Sequence, residues 1–288
     1  MRDKFVPAQF VEVAVENIKR AVINNNFQGA VLGVSGGIDS TVVAILCINA
    51  LKVVNKRVVG LLLIDKRVKY EKYNAEILKQ TGLEFICKDI TSILQKEERA
   101  IGLPPRWLVL MFFRLFSRLP RPIFERIYLW VRTPPLPGFL SRCYQVLALP
   151  HRVRLRILEE FAKEHNLLKV ICTNLLERLT GYFVEGGIDD LRCGDLAPIS
   201  SLLKSEVYEL ANYLQIPQEI LEQKPSPGFG GIYDEQILGP YPLLDHILSG
   251  RELNEFNQVT PPSHKGKSFM CQRYVMFVKG LRQLSFEK

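Results

Sequence analysis

Histidine is scarce and metal-binding spacing is missing. Four histidines and six cysteines (Cys47, Cys87, Cys143, Cys172, Cys193, Cys271) are scattered over 288 residues with no C-x-x-C pair, which argues against a zinc or iron–sulfur centre. The same scatter fits reduced, mostly buried thiols and a cytoplasmic protein. No uninterrupted apolar run reaches the roughly 18 residues that a spanning helix needs. Met1-Arg2-Asp3-Lys4-Phe5 lacks the apolar core of a signal peptide. No internal repeat is present. Carboxylates are missing from one long stretch: between Ile101 and Leu149 the sole acidic residue is Glu125, against Arg106, Arg114, Arg118, Arg121, Arg126, Arg132 and Arg142.

What is present suits a globular protein of one or two domains with a sizeable core. The chain is 47% hydrophobic and 24% charged, with a formal net charge of +8. Such a charge fits a nucleic acid, an anionic membrane surface or polyanionic small substrates, and by itself selects none of them. Apolar runs at Ala30–Val34 and Arg57–Ile64 read as buried strands, Glu84–Ile90 as a third, short strand and Leu168–Thr173 as a fourth, parallel one. Between them lie helical periodicities over Phe10–Asn25, Val42 to about Leu51, Tyr70–Thr81 and His151–His165, with further helices from Glu177, over Lys204–Leu214 and over Leu243–Ser249. Alternating strands and helices predict an α/β fold, a doubly wound parallel sheet flanked by helices. Lys224–Gly231 reads as a loop. Trp107–Leu119 is strongly apolar with arginines at helical spacing, and prolines from Pro120 to Pro137 cut the chain after it into short pieces. A helical segment packed on the sheet or on a second subunit is the favoured reading. A membrane-surface segment over 106–132 is the alternative.

The most informative residues are Ser35-Gly36-Gly37-Ile38-Asp39-Ser40-Thr41, between the first strand and the first crossover helix. A strand, a glycine-rich turn and a helix N-terminus together make an anion site. Ser35, Ser40 and Thr41 add hydroxyl donors. Asp39 beside phosphate makes sense with a divalent cation between them. The loop is not a Walker A sequence, because the G-K-[ST] ending is missing. It resembles the pyrophosphate loop of the ATP pyrophosphatases, which cleave ATP between the α- and β-phosphates.

Later segments narrow the resemblance. They are His151-Arg152-Val153-Arg154, Thr173-Asn174-Leu175-Leu176-Glu177, Asp195-Leu196-Ala197-Pro198-Ile199, Leu203 to Ala211, Lys224-Pro225-Ser226-Pro227, Asp234 to Gly239 and His264-Lys265. In this order they resemble the ammonia-dependent NAD synthetase family. The resemblance implies one domain over 1–288, adenine nucleotide alpha hydrolase-like, with an apolar and basic helical insertion at 100–148. It implies that ATP, a co-substrate, adenylates deamido-NAD with Mg2+, and that ammonia displaces AMP to give NAD. Gly33, Ser35, Gly36, Gly37, Ser40 and Thr41 would hold the nucleotide phosphates, and Asp39 and Glu177 the magnesium. Lys204 and Ser226 would contact phosphate, and Thr173 would lie near ATP. Arg152 would serve both nucleotide and acceptor, Asp195 the nicotinate and ammonia site, and His264 and Lys265 the acceptor. A helix-N-terminal carboxylate favoured by the dipole is the alternative for Glu177. The resemblance also implies a homodimer. The segment before Ser35 is too short for a glutaminase, so ammonia is expected to arrive free or from a separate subunit. Three alternatives stay open: a ligase adenylating another carboxylate, a tRNA-modifying ATP pyrophosphatase and a non-catalytic scaffold. The lack of C-x-x-C pairs and of an RNA-binding module counts against the tRNA reading and makes a nucleic-acid partner the weaker expectation.

Overall fold

The computed structural model describes residues 5–68, 79–132, 136–226, 232–248 and 276–281. Most of the helix expected over Tyr70–Thr81, and the His264-Lys265 pair, lie outside them. The elements begin with α1 (Pro7–Asn24), β1 (Gly29–Gly33), α2 (Ile38–Lys52), β2 (Arg57–Ile64), β3 (Glu84–Asp89) and α3 (Thr91–Ala100). Then come α4 (Arg106–Phe116), α5 (Arg121–Arg132), α6 (Gly138–His165), β4 (Leu168–Val170) and α7 (Leu175–Thr180). The last are α8 (Lys204–Tyr213), α9 (Gln218–Leu221), α10 (Asp234–Ile237) and α11 (Tyr241–Leu248).

The strands form one parallel sheet in the order β3-β2-β1-β4. Successive side chains of a strand point to opposite faces, and β1 shows the result. Ala30 and Leu32 enter a core with Ile18 of α1, Val43 and Leu46 of α2, and Val207 and Leu210 of α8. Val31 enters the other, with Leu61 and Leu63 of β2, Leu94 of α3, and Val153 and Leu158 of α6. Both faces of β1 and β2 are therefore covered, which is why these two strands read as continuous apolar runs, whereas the edge strand β3 is largely exposed. The order reverses direction at β1, so the chain leaving β1 and the chain leaving β4 part on opposite sides of a crevice at the sheet's carboxyl edge.

Two local expectations change. Helix α2 starts at Ile38, not Val42, so Asp39, Ser40 and Thr41 form its first turn instead of preceding it. Helix α6 runs 28 residues and passes through Pro150. A proline inside a helix leaves the carbonyl four residues earlier without its donor. Here that carbonyl belongs to Val146, and the buried Arg106 guanidinium donates to it at 3.3 Å. Arg106 is thus an internal brace.

The 101–149 stretch makes three helices. Helix α4 lies against α6. Helix α5 sends Phe124 and Tyr128 into a third apolar cluster with Leu176, Ile237, Leu244, Phe277 and Val278. Arg121 ties α5 to α10, donating to the carbonyls of Gln236 and Ile237 at 2.8 and 2.9 Å. The segment packs on the C-terminal helices and on α6, and at its two ends Leu103 and Leu149 join the core beneath β1 and β2.

Candidate active site

The turn after β1 is held by its own hydroxyls. Gly36 has φ 77, a left-handed conformation that glycine adopts without strain. The Ser35 hydroxyl accepts from the Gly37 N–H at 3.2 Å and lies 3.4 Å from the Ser40 hydroxyl. Ser40 and Thr41 donate to the Gly37 carbonyl at 3.1 and 2.9 Å. Thr41 is fully buried, so it braces the turn from behind. The first-turn N–H groups of Ile38, Asp39 and Ser40 have no acceptor within the helix and face the crevice, where the helix dipole favours an anion.

Across the crevice, the chain leaving β4 supplies the other wall. Asn174 caps α7: its side chain accepts the Glu177 N–H at 3.1 Å, and Glu177 accepts the Asn174 N–H at 3.1 Å. This reciprocal box fixes the Glu177 carboxylate. The Asn174 amide also donates to Asp39 at 3.0 Å, joining the two walls. Lys204, at the start of α8, reaches the same aspartate and forms an ion pair with it. A lysine at a helix N-terminus opposes the dipole. Asp245 of α11 offsets this by accepting the N–H groups of Lys204 and Ser205 at 3.3 and 2.7 Å.

Charge in this cluster is finely balanced. The Lys204 side chain is 2% exposed. Burial works against its charge, but attraction to Asp39 and Glu177 outweighs burial and holds the ammonium above its ordinary range. Burial, and then repulsion from Asp39, push the Glu177 carboxyl well above the usual carboxylate range. Burial likewise raises Asp234, which accepts from the hydroxyls of Tyr182 and Tyr241 at 3.1 and 2.9 Å.

The structure gathers Gly33, Ser35, Gly37, Asp39, Ser40, Thr173, Glu177 and Ser226 around one cavity of about 1170 Å3, with Lys204 behind Asp39. Thr173 donates to the Asp189 carbonyl at 2.6 Å, and Ser226 to that of Ile232 at 2.8 Å. Two expected acceptor residues are not on the cavity wall. Asp195 accepts the Lys169 N–H at 2.8 Å on the far side of β4. Arg152 is exposed and donates to the Glu185 carbonyl at 3.2 Å. Asn174 and Asp234 stand in segments that carry the family resemblance but are given no role there, and Asp245 stands in none. For Asn174 a local signal exists as well, the N-x-x-E spacing before an apolar helix.

Where α4, α5 and the N-terminal part of α6 line it, the cavity is mainly apolar, while His151, Arg154, Asp189 and Lys224 line other parts of its wall. Val109, Phe112 and Phe116 of α4, Ile127 and Trp130 of α5, and Tyr144 and Leu147 of α6 line the apolar part.

A doubly wound parallel sheet with a glycine–serine turn at its switch point, faced by two carboxylates and a buried lysine, defines a nucleotide-binding α/β protein of the pyrophosphate-loop type. Comparison with known proteins agrees. A family profile described as NAD synthase matches residues 10–102 and 147–279. The NH(3)-dependent NAD(+) synthetase of Coprothermobacter proteolyticus is 34% identical over 249 residues, covering 82% of each chain. The chain belongs to the NAD synthase family. Two solved structures carry the fold likeness. The NMN synthetase from Francisella tularensis has a TM-score of 0.70 and 20% identity, covering 99% of this chain and 96% of that one. The NH3-dependent NAD synthetase from Campylobacter jejuni has a TM-score of 0.63 and 23% identity, covering 97% and 94%. The profile passes over 103–146, the residues of α4, α5 and the start of α6.

Proposed function

We propose that the chain is an ATP-dependent amide-forming ligase that adenylates deamido-NAD and aminates it with ammonia, giving NAD, AMP and pyrophosphate. The observation that carries this reading is the meeting of Asp39, Glu177 and Lys204 at the phosphate-type turn, in a chain of the NAD synthase family. The acceptor carboxylate oxygen attacks the α-phosphorus and the bond to the β-phosphate oxygen breaks. Ammonia nitrogen then attacks the acyl carbon and AMP leaves.

Negative charge grows on the departing pyrophosphate. The first-turn N–H groups of α2 and the hydroxyls of Ser35 and Ser40 are fixed donors for it. Lys204 keeps a proton at any physiological pH, so its ammonium is a standing counter-charge. The donor set fits magnesium. Two carboxylates face one lysine, and no cluster of three metal-binding side chains exists among the described residues. Such a pair suits an ion that completes its shell with phosphate oxygens and water. Held by Asp39 and Glu177, magnesium would supply Lewis-acid stabilisation of the phosphoryl oxygens.

A second reading, another carboxylate as acceptor, is favoured by the apolar acceptor side of the cavity and by the engagement of Asp195 and Arg152 elsewhere. A homodimer, a separate ammonia-supplying subunit and a cytoplasmic location complete the proposal. Incubation with magnesium-ATP, ammonium and deamido-NAD should release pyrophosphate and NAD in equal amounts. Pyrophosphate release only with a different acid would replace the acceptor, and none with any acid would sink the ligase reading.

A further inference from the structure

A histidine and a carboxylate meet on the cavity wall apart from the cluster of Asp39, Glu177 and Lys204. His151 of α6 and Asp189 of the loop after α7 both line the cavity, and His151 Nδ1 lies 3.3 Å from Asp189 Oδ1. Both atoms are buried, and neither has a hydrogen-bond partner among the described residues. The distance suits a hydrogen bond and only the alignment fails, a state common in catalytic pairs before substrate binds. With Nδ1 turned to Asp189, Nε2 is the ring nitrogen left open to the cavity.

The imidazole is not needed to hold the loop. The Ile188 N–H donates to the His151 carbonyl at 3.1 Å, the Thr173 hydroxyl to the Asp189 carbonyl at 2.6 Å and the Gly186 N–H to the Asp190 carboxylate at 2.8 Å. Gly187 makes room for the pair: a Cβ there would lie 2.8 Å from Asp189 Oδ1 and 2.9 Å from the His151 Cβ. The loop also sits against the end of β1, just before the phosphate turn, since a Cβ on Gly33 would lie 2.4 Å from Ile188 Cδ1.

Amide formation needs a proton acceptor. Ammonia attack leaves three hydrogens and a positive charge on the nitrogen, and one proton must go before the amide forms. Other ionisable groups on the wall suit this poorly. Asp39 is engaged by Lys204 and Asn174, and Glu177 by the Asn174 N–H. Asp234 accepts from two tyrosine hydroxyls. Arg154 and Lys224 are cations. Imidazole takes and returns protons near neutral pH, and His151 is the sole histidine on the wall among the described residues.

We propose that His151 is the proton acceptor of the amidation step and that Asp189 is its positioning residue; this rests on the ligase reading given above. The ammonia lone pair forms the C–N bond, and His151 Nε2 takes one proton from the attached nitrogen. The C–O bond to AMP then breaks, and its electron pair leaves on the phosphate oxygen. The products are the amide, AMP and an imidazolium that returns its proton to water. Asp189 holds the ring with Nε2 toward the cavity and stabilises the imidazolium. Adenylation needs no such acceptor, because the attacking carboxylate has no proton to lose.

That difference between the two half-reactions makes the test. ATP–pyrophosphate exchange with magnesium-ATP and deamido-NAD, or with whichever acid supports pyrophosphate release, reads adenylation without ammonia. Amide formation on adding ammonium reads the whole reaction. In His151→Ala the ratio of amidation to exchange should fall at least about 100-fold, and added imidazole should restore part of it. His151→Gln, which fills more of the ring's space, should show the same fall if the alanine variant folds poorly. Asp189→Asn still accepts the Val184 N–H. It should lower the rate at saturating ammonia at least about tenfold and leave the KM for ammonia in place. A wild-type ratio in both histidine variants would overturn the proposal. So would equal loss of exchange and amidation with no rescue by imidazole, the mark of a purely structural side chain. A raised KM for ammonia at an unchanged rate in Asp189→Asn would make that residue an ammonia contact and overturn its positioning role. No exchange by the unaltered chain with any acid would remove the ligase reading and this step with it, whereas normal exchange with normal ratios would remove this step alone.

Discussion

The pair between Asp39 and Lys204 can be tested by a double-mutant cycle. Lys204 is 2% exposed and Asp39 is 20% exposed, and they pair across the crevice between α2 and α8. Removing one partner of a buried pair leaves the other desolvated and uncompensated, at a cost of about 3–5 kcal/mol. Because Asp39 keeps some contact with water, the low end applies. Lys204→Met and Asp39→Asn should each cost about 3 kcal/mol, a shift of more than about 100-fold in the folding equilibrium. Met keeps the length of the lysine stem, and Asn keeps an acceptor for the Asn174 amide, so packing and that hydrogen bond survive. The double variant removes both charges and should cost no more than either single change, a coupling of about 3 kcal/mol. Urea unfolding followed by far-ultraviolet circular dichroism gives the four values. Additive singles, with a double variant near 6 kcal/mol, would mean that the two side chains do not depend on each other. The charge balance argued for this site would then be wrong.

Glu177→Gln keeps an acceptor for the Asn174 N–H and removes a carboxylate that burial and Asp39 hold in an unfavourable setting. Its melting temperature should hold or rise, while magnesium-dependent pyrophosphate release falls at least about 100-fold; a loss of both would mean that Glu177 serves the fold alone. Gly29→Ala would set a Cβ 2.1 Å from the Arg57 carbonyl oxygen of the neighbouring strand. A strand backbone cannot yield as a side chain can, so a thermal melt should show a loss of about 1–3 kcal/mol. Burial works against the Asp65 carboxylate, but hydrogen bonds from Arg67 outweigh it and hold the group below its usual range. The stabilisation is therefore full above the unfolded carboxylate value of about 3.9 and is lost as pH falls through the lower folded value. Asp65→Asn should cost about 2 kcal/mol at neutral pH and flatten the loss of stability on acidification, read by melts across that range.

The central strands β1 and β2 are legible in the sequence because both of their faces are covered. Strand β2 reads end to end, since the apolar run from Val58 to Ile64 is bounded by charged residues on both sides. Helix starts are less legible. The turn residues Asp39, Ser40 and Thr41 have poor helix propensity, yet the hydroxyl bonds of Ser40 and Thr41 to the Gly37 carbonyl and the tertiary partners of Asp39 hold them in the first turn of α2. Starting a helix at His151, just after Pro150, is sound local reasoning, and only the distant Arg106 guanidinium explains why the helix runs through the proline. No window of sequence centred on Pro150 contains that donor.

The site divides in the same way, and the division bears on specificity. Asp39, Glu177 and Lys204 lie far apart in the chain, and the family pattern fixes each by its local spacing, so the phosphate side can be assembled without the fold. The acceptor side has no such support. The family pattern assigns Asp195 and Arg152 to it, but Asp195 accepts a β4 N–H and Arg152 donates to a loop carbonyl. The apolar wall of the cavity, which we propose faces the acceptor, is built by α4, α5 and α6, from residues that in sequence read only as an apolar and basic stretch. A phosphate turn needs the same donors whatever acid is activated, because the leaving group does not change. The acceptor wall must change with the acid. The segment that the family profile passes over is also the segment that forms this wall, so substitutions there should alter acceptor preference while leaving ATP cleavage to the residues around Asp39.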